Sequence, residues 1–237
     1  MNLLALDTAT EACSAAVWVD GVVHGRCEVV GRDHTQRLIP LVASVLAEAG
    51  LDYAQLHGLV CGVGPGSFAG VRIGVSFAKG VALAHELPVL GVSSLALLAE
   101  AALAEPGCDP VLVAIDARMG EVYFQAFGRG PAGEVQPLGE AAVCAPTAVL
   151  IPGGPSRWQA VGTGWGTYAA ELAAVVAQPL GRMDGHALPR AADALVLAAG
   201  VFERGAAPAA DVLQPVYLRN RVALTLLEQR QLRAKGR

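Results

Sequence analysis

Short apolar runs alternate with longer amphipathic ones through the first hundred residues. Leu3–Leu6 is uniformly apolar and stops at Asp7, which predicts a buried strand. Ser14–Val19 predicts a second strand, Asp20-Gly21 a hairpin turn, and Val22–Val30 a third strand. Apolar positions at helical spacing follow over Gln36–Ala49, closed by Gly50. Leu59–Val63 predicts a strand that Gly64-Pro65-Gly66 breaks, with a helix over Phe68–His85 behind it. Val89–Val92 predicts a short strand and Ser94–Ala104 a helix. Strand hairpins followed by alternating helices and strands make an α/β unit, a mixed sheet with helices on its faces.

After Glu105–Asp109, which contains Pro106 and Gly107 and predicts a linker, the pattern restarts. Val111–Ile115 is an apolar run ending at Asp116, followed by a strand over Glu121–Phe127 and a turn at Gly128–Gly130. The two openings, Leu-Leu-Ala-Leu-Asp and Leu-Val-Ala-Ile-Asp, each lead through a gap to a strand and a Gly turn. They predict two copies of one unit. Beyond them Pro131, Pro137, Pro146, Pro152 and Pro155 interrupt the pattern, and helices are predicted only at Tyr168–Val176 and Arg190–Arg204. The predicted organisation is a first lobe over residues 1–105, a second over 106–216, and a basic segment, partly helical, over 217–237.

Composition changes this picture in two places. Apolar residues make up 54% of the 237 and charged residues only 16%, a balance that predicts apolar surface covered by a partner. The net charge of −4 gives no general attraction to nucleic acid, but the charge is uneven. Residues 219–237 hold six bases and one acid, against 11 bases and 20 acids before them. That basic end is a solvated tail or a contact for RNA phosphates or an acidic partner. No basic start precedes Met1–Leu6 and no run of about 20 apolar residues occurs, so a soluble, cytoplasmic protein is expected. The five cysteines form no C-x-x-C pair and are expected as buried thiols.

Three segments could carry chemistry. Asp7-Thr8-Ala9-Thr10 leaves the first strand, and a carboxylate followed by hydroxyls and free amides suits a phosphate or a hydrated cation. The same residues could instead cap the strand end. Gly64–Arg72 opens a helix after a strand, with Ser67 as N-cap, but no Lys stands where a Walker loop needs one. In that helix Gly66, Gly70, Gly74, Ala78 and Ala82 recur every fourth residue, a stripe that permits close approach, either within the chain or to a second one. Asp116-Ala117-Arg118-Met119-Gly120-Glu121 places carboxylates and an arginine in one turn. No histidine pair has zinc-ligand spacing, and no G-x-S-x-G elbow is present.

Asp7–Glu11, His34–Leu38, Gly64–Gly74, Ile115–Tyr123 and Pro215–Arg219 together resemble the TsaB (YeaZ) family. The resemblance implies an actin-like (ASKHA) fold of two related lobes, each a mixed sheet with flanking helices. It implies a non-catalytic subunit that works with a TsaD-type transferase to form N6-threonylcarbamoyladenosine in tRNAs reading codons that begin with A. It further implies a TsaE-type ATPase joining through that complex, and a homodimer when the chain is alone. tRNA would be met indirectly or through the basic tail. No tightly bound cofactor, catalytic residue or metal is expected, with ATP or ADP confined to the assembled complex. Aligned on TsaD through the preceding strand, Ser94 and Leu98 fall where that relative carries its two metal-binding histidines. Any nucleotide contact would fall to Asp7, Thr8, Thr10 and Asp116. The resemblance also implies pairing of two helices with a partner's two, an interface expected at Leu38, Leu41, Val42, Val45, Gly70, Gly74 and Ala78. An actin-like small-molecule kinase or ATPase is the alternative, and a glycoprotease-type peptidase a third reading.

Overall fold

The computed structural model describes residues 1–219. A first sheet is built from Asn2–Asp7 (β1), Ala12–Val19 (β2), Val22–Val29 (β3), Gly58–Gly62 (β4) and Val89–Val92 (β5), in the order β3-β2-β1-β4-β5. The hairpin strands pair antiparallel, and β4 and β5 join parallel to β1. A second sheet holds Val111–Asp116 (β6), Val122–Arg129 (β7), Val135–Pro137 (β8), Ala142–Cys144 (β9), Trp158–Val161 (β10) and Leu180–Asp184 (β11). Its order is β11-β10-β6-β7-β8, with β9 also against β7. Strand for strand, β6-β7-β8-β10-β11 repeats β1-β2-β3-β4-β5 in order and direction. The repeat predicted from the two apolar openings is thus a repeat of topology.

Among the described residues six helices cover the sheets: His34–Glu48 (α1), Phe68–Ala84 (α2), Ser94–Leu103 (α3), Thr163–Thr167 (α4), Ala169–Val175 (α5) and Ala191–Glu203 (α6). Successive side chains of a strand point to opposite faces, and here both faces are roofed. In β1, Leu4 and Leu6 meet α1 and α2, whereas Leu3 and Ala5 meet α6. In β6, Val111, Val113 and Ile115 meet α3, whereas Leu112 and Ala114 meet Trp158, Trp165 and Leu172. Burial on both faces is why these strands read as unbroken apolar runs rather than alternating ones.

The helices change sides between the two halves of the chain. The helix α3 packs mainly on the second sheet and α6 on the first, and the two also pack on each other. The second half is also richer in strands than predicted. The short strands β8 to β11 lie among Gly and Pro, where no periodic run is long enough to register. The basic segment predicted from residue 217 falls mostly on 220–237, outside the described residues. Among the described residues no helix is long and apolar enough to cross a membrane.

Candidate functional site

A cleft of about 550 Å³ runs between the two halves. Its lining includes Thr10, Ser67, Asp116, Arg118, Tyr217 and Arg219. The loops after β1 and β6 open onto it with the same local chemistry. Asp7 Oδ1 accepts the Ala9 amide at 3.0 Å, and Asp116 Oδ1 accepts the Arg118 amide at 2.8 Å. Each carboxylate thus closes a turn on the residue two positions ahead, so the internal repeat extends to these aspartates.

Their surroundings differ. Asp7 has no exposed surface, and its second oxygen takes the Ser94 hydroxyl at 3.3 Å. Burial raises its carboxyl to about 6, against the lowering effect of the Ala9 amide and the Ser94 hydroxyl. Thr8 is equally buried and donates its hydroxyl to the Gly70 carbonyl at 2.7 Å. Neither side chain lines the cleft, so both drop out as ligands there: Thr8 ties the β1–β2 loop to the base of α2, and Asp7 ties it to the start of α3. Thr10 and Asp116 do line the cleft. Asp116 Oδ2, however, already holds the Arg118 guanidinium at 2.8 Å.

The glycine-rich segment explains itself against that loop. The Ser67 amide donates to the Ala9 carbonyl at 2.6 Å, and Ser67 Oγ caps α2 by accepting the Gly70 amide. A Cβ on Gly66 would strike the Ala9 carbonyl, and one on Gly70 the Thr8 carbonyl. A Cβ on Gly74 would lie 2.6 Å from Thr8 Oγ1 and 3.2 Å from Leu6 Cδ1. The stripe lets α2 lie directly on the chain's own β1 and its loop.

This corrects the expected interface. Leu38, Leu41, Val42, Val45, Gly70, Gly74 and Ala78 are all buried in the chain's own core. The opposite face of the same two helices is the open one. It presents Ile39 (59% exposed) and Ala43 on α1, and Gly80 and Leu83 (67% exposed) on α2, with Ile73 and Phe77 half-buried at its edge against the core. Helical periodicity identified two apolar sides on α2, and the sheet took the small-residue side because only that side allows such close approach.

Ser94 caps nothing metallic: its hydroxyl serves Asp7, and Leu98 is buried in the core against the second sheet. No cluster of three or more His, Cys, Asp or Glu side chains placed to hold a metal ion occurs among the described residues. Burial pushes the Cys13 thiol up to about 11 and the Cys61 thiol higher, leaving both neutral and poor nucleophiles. Sequence reasoning missed the cleft's lip. There the Arg72 guanidinium lies 3.2 Å from the Phe68 ring centre and 4.9 Å from that of Tyr217. The signal was split between α2 and a segment 145 residues later.

The comparisons with known proteins bear on this arrangement. Residues 21–223 match the family described as "TsaD: tRNA N6-adenosine threonylcarbamoyltransferase". Over nearly its whole length the chain is 42% identical to the Escherichia coli K12 "tRNA threonylcarbamoyladenosine biosynthesis protein TsaB", covering 94% of this chain and 96% of that one. The chain belongs to the TsaB family. The Haemophilus influenzae TsaB is 36% identical, covering 98% of this chain and 99% of its own. A solved structure of "YeaZ from Pseudomonas aeruginosa" superposes with a TM-score of 0.84 at 41% identity, covering 92% of this chain and 99% of that one. The two-lobed actin-like α/β fold is therefore that of the TsaB family.

Proposed function

We propose that this chain is a non-catalytic partner subunit in tRNA N6-threonylcarbamoyladenosine formation, docking on a TsaD-type transferase through the outward face of α1 and α2. The observation that carries the reading is that face: Ile39, Ala43, Gly80 and Leu83 are open on two adjacent helices, bordered by the half-buried Ile73 and Phe77. Exposed contiguous apolar surface is costly in water and is characteristic of interaction sites. Two helices offered side by side suit two helices of a partner, with Gly80 allowing close approach because nothing lies within 4 Å of its missing Cβ. The same face serves a homodimer when the chain is alone, so the two assemblies compete.

The lack of transfer chemistry in this subunit is supported by Ser94 and Leu98, which stand in for the paired histidines of the transferase. A TsaE-type ATPase would join through the complex, with ATP or ADP held there rather than by the isolated chain. The tRNA would be met mainly by the partner or by the basic residues after Tyr217, and the assembly would work in the cytoplasm. The kinase or ATPase reading finds little support, since Asp7 is sealed from the cleft and Asp116 is held by Arg118. Co-expression with a TsaD-type partner, followed by co-purification and mass spectrometry of tRNA nucleosides, tests the proposal. Modified nucleoside should appear only with both chains present. Its formation by this chain alone would refute the assignment, as would failure of the two to associate.

A further inference from the structure

The segment after α6 crosses from one half to the other, and neighbouring residues in it are anchored on different halves. On the first half, the Val216 amide donates to the Val63 carbonyl at 2.8 Å, continuing the backbone beyond β4. The Tyr217 ring lies 5.7 Å from that of Phe68, with the Arg72 guanidinium against both. Before them, the Asp211 carbonyl accepts the Lys79 ammonium of α2 at 3.2 Å. On the second half, Leu218 packs into the core beneath β6 and β7. Arg219 pairs with Glu121, donates to the Arg118 carbonyl and touches the Met119 sulfur. The turn it grips is tightly wound, with Arg118, Met119 and Gly120 all at positive φ.

We propose that residues 213–219 are a latch that sets the opening of the cleft, with the Phe68–Arg72–Tyr217 stack as its anchor on the first half and Arg219 as its catch on the second. Val216, Tyr217, Leu218 and Arg219 all line the cleft. The latch therefore lies where any occupant of the cleft would feel it. A change in the separation of the halves must stretch the one peptide link between Tyr217 and Leu218 or release one of its two holds. The catch is the weaker hold, because it rests on a few polar contacts at the edge of the protein, whereas the anchor adds a backbone hydrogen bond and two aromatic faces.

The test is the separation of the halves in the full chain, read by electron–electron spin resonance between labels at Thr35→Cys and Ala132→Cys. Both sites are exposed, and Cys27→Ser and Cys144→Ser remove the accessible thiols. Arg219→Ala should broaden and lengthen the distance distribution and speed exchange of the Val216 amide by about tenfold, the scale of one lost charged hydrogen bond. Arg219→Lys, which keeps the charge facing Glu121, should stay close to the parent. Tyr217→Ala should resemble Arg219→Ala. An unchanged distribution in both alanine variants would overturn the proposal. So would a lysine variant that behaves like alanine, since the catch would then not depend on its charge.

Discussion

Asp7 offers a quantitative handle on the fold. It has no exposed surface, and its carboxyl is raised from 3.8 to about 6 by burial. The folded chain therefore holds this proton more tightly than the unfolded chain does. Asp7's contribution to stability is complete below about pH 4, declines as pH rises from there to about 6, and is gone above that. A shift of about two units corresponds to about 3 kcal/mol, with a slope approaching 1.4 kcal/mol per pH unit within the window. Asp7→Asn removes the titration while keeping the shape. Its carbonyl can still accept the Ala9 amide, and its amide can donate to the Ser94 hydroxyl oxygen, so no polar atom is stranded. At pH 7.5 the variant should be more stable than the parent by up to about 3 kcal/mol, and near pH 4 the two should converge. Urea denaturation of both chains at half-unit steps from pH 4 to 8 measures the difference, and all other titrations cancel in it. A variant less stable than the parent at pH 7.5, or a constant gap across the series, would mean that Asp7 is ionised at little cost and that the burial argument is wrong.

Four further outcomes follow from α2, from the proposed docking and from the positions of Ser94 and Leu98. Gly74→Ala should cost about 1–3 kcal/mol in denaturant melts, because its Cβ meets Thr8 and Leu6, and Gly74→Arg should fail to fold. On the same helix Gly80→Ala meets nothing and should stabilise by about 0.5–1 kcal/mol, as expected for an exposed helical glycine. Leu83→Glu should weaken co-purification with a TsaD-type partner at least about tenfold while leaving the melting temperature within a few degrees, since the side chain is already in solvent. Elemental analysis of untagged, metal-replete protein should find no stoichiometric iron or zinc, given Ser94 and Leu98 at the aligned positions.

Much of the architecture was legible because periodicity and burial agree. The apolar runs ending in Asp7 and Asp116 became equivalent strands, and Val89–Val92 and the start of α2 lie where the pattern put them. What misled was chemistry that looks alike at the level of sequence. A Gly stripe signals close approach but does not say to what. Here the partner is a loop and a strand of the same chain, reached through Thr8 and Leu6. The helix exchange was invisible for a related reason. An apolar helix such as α6, with Ala194, Leu195 and Ala198 buried, fits either sheet by composition. Only the three-dimensional course of the chain chooses between them. The lip of the cleft was missed because Phe68 and Tyr217 carry no mutual signal until the chain brings them together.

The glycines also bear on how this fold relates to nucleotide chemistry. A phosphate held between the loop after β1 and the loop before α2 needs free amides and space between them. Here the two loops bond directly to each other. The Ser67 amide is spent on the Ala9 carbonyl, and the Thr8 hydroxyl on the Gly70 carbonyl. Ala9 itself is fully buried where a glycine would leave room. Admitting an anion at that point would break both bonds and expose the apolar base of α2. The glycines that could have cradled a phosphate instead bring α2 onto the loop, and the apolar cost of a closely seated helix falls on its outer face. Closing the loops and opening the proposed docking surface are in this sense one arrangement. Removing the side-chain ties at this junction should therefore lose stability, not gain nucleotide binding. The double substitution Thr8→Val, Ser67→Ala takes away the Thr8 hydroxyl bond to Gly70 and the Ser67 Oγ cap of α2, leaves the Ser67 amide on Ala9, and checks this by calorimetry with ATP and magnesium. A melting temperature equal to the parent's together with measurable ATP binding would show that the loops are separable and the reasoning mistaken.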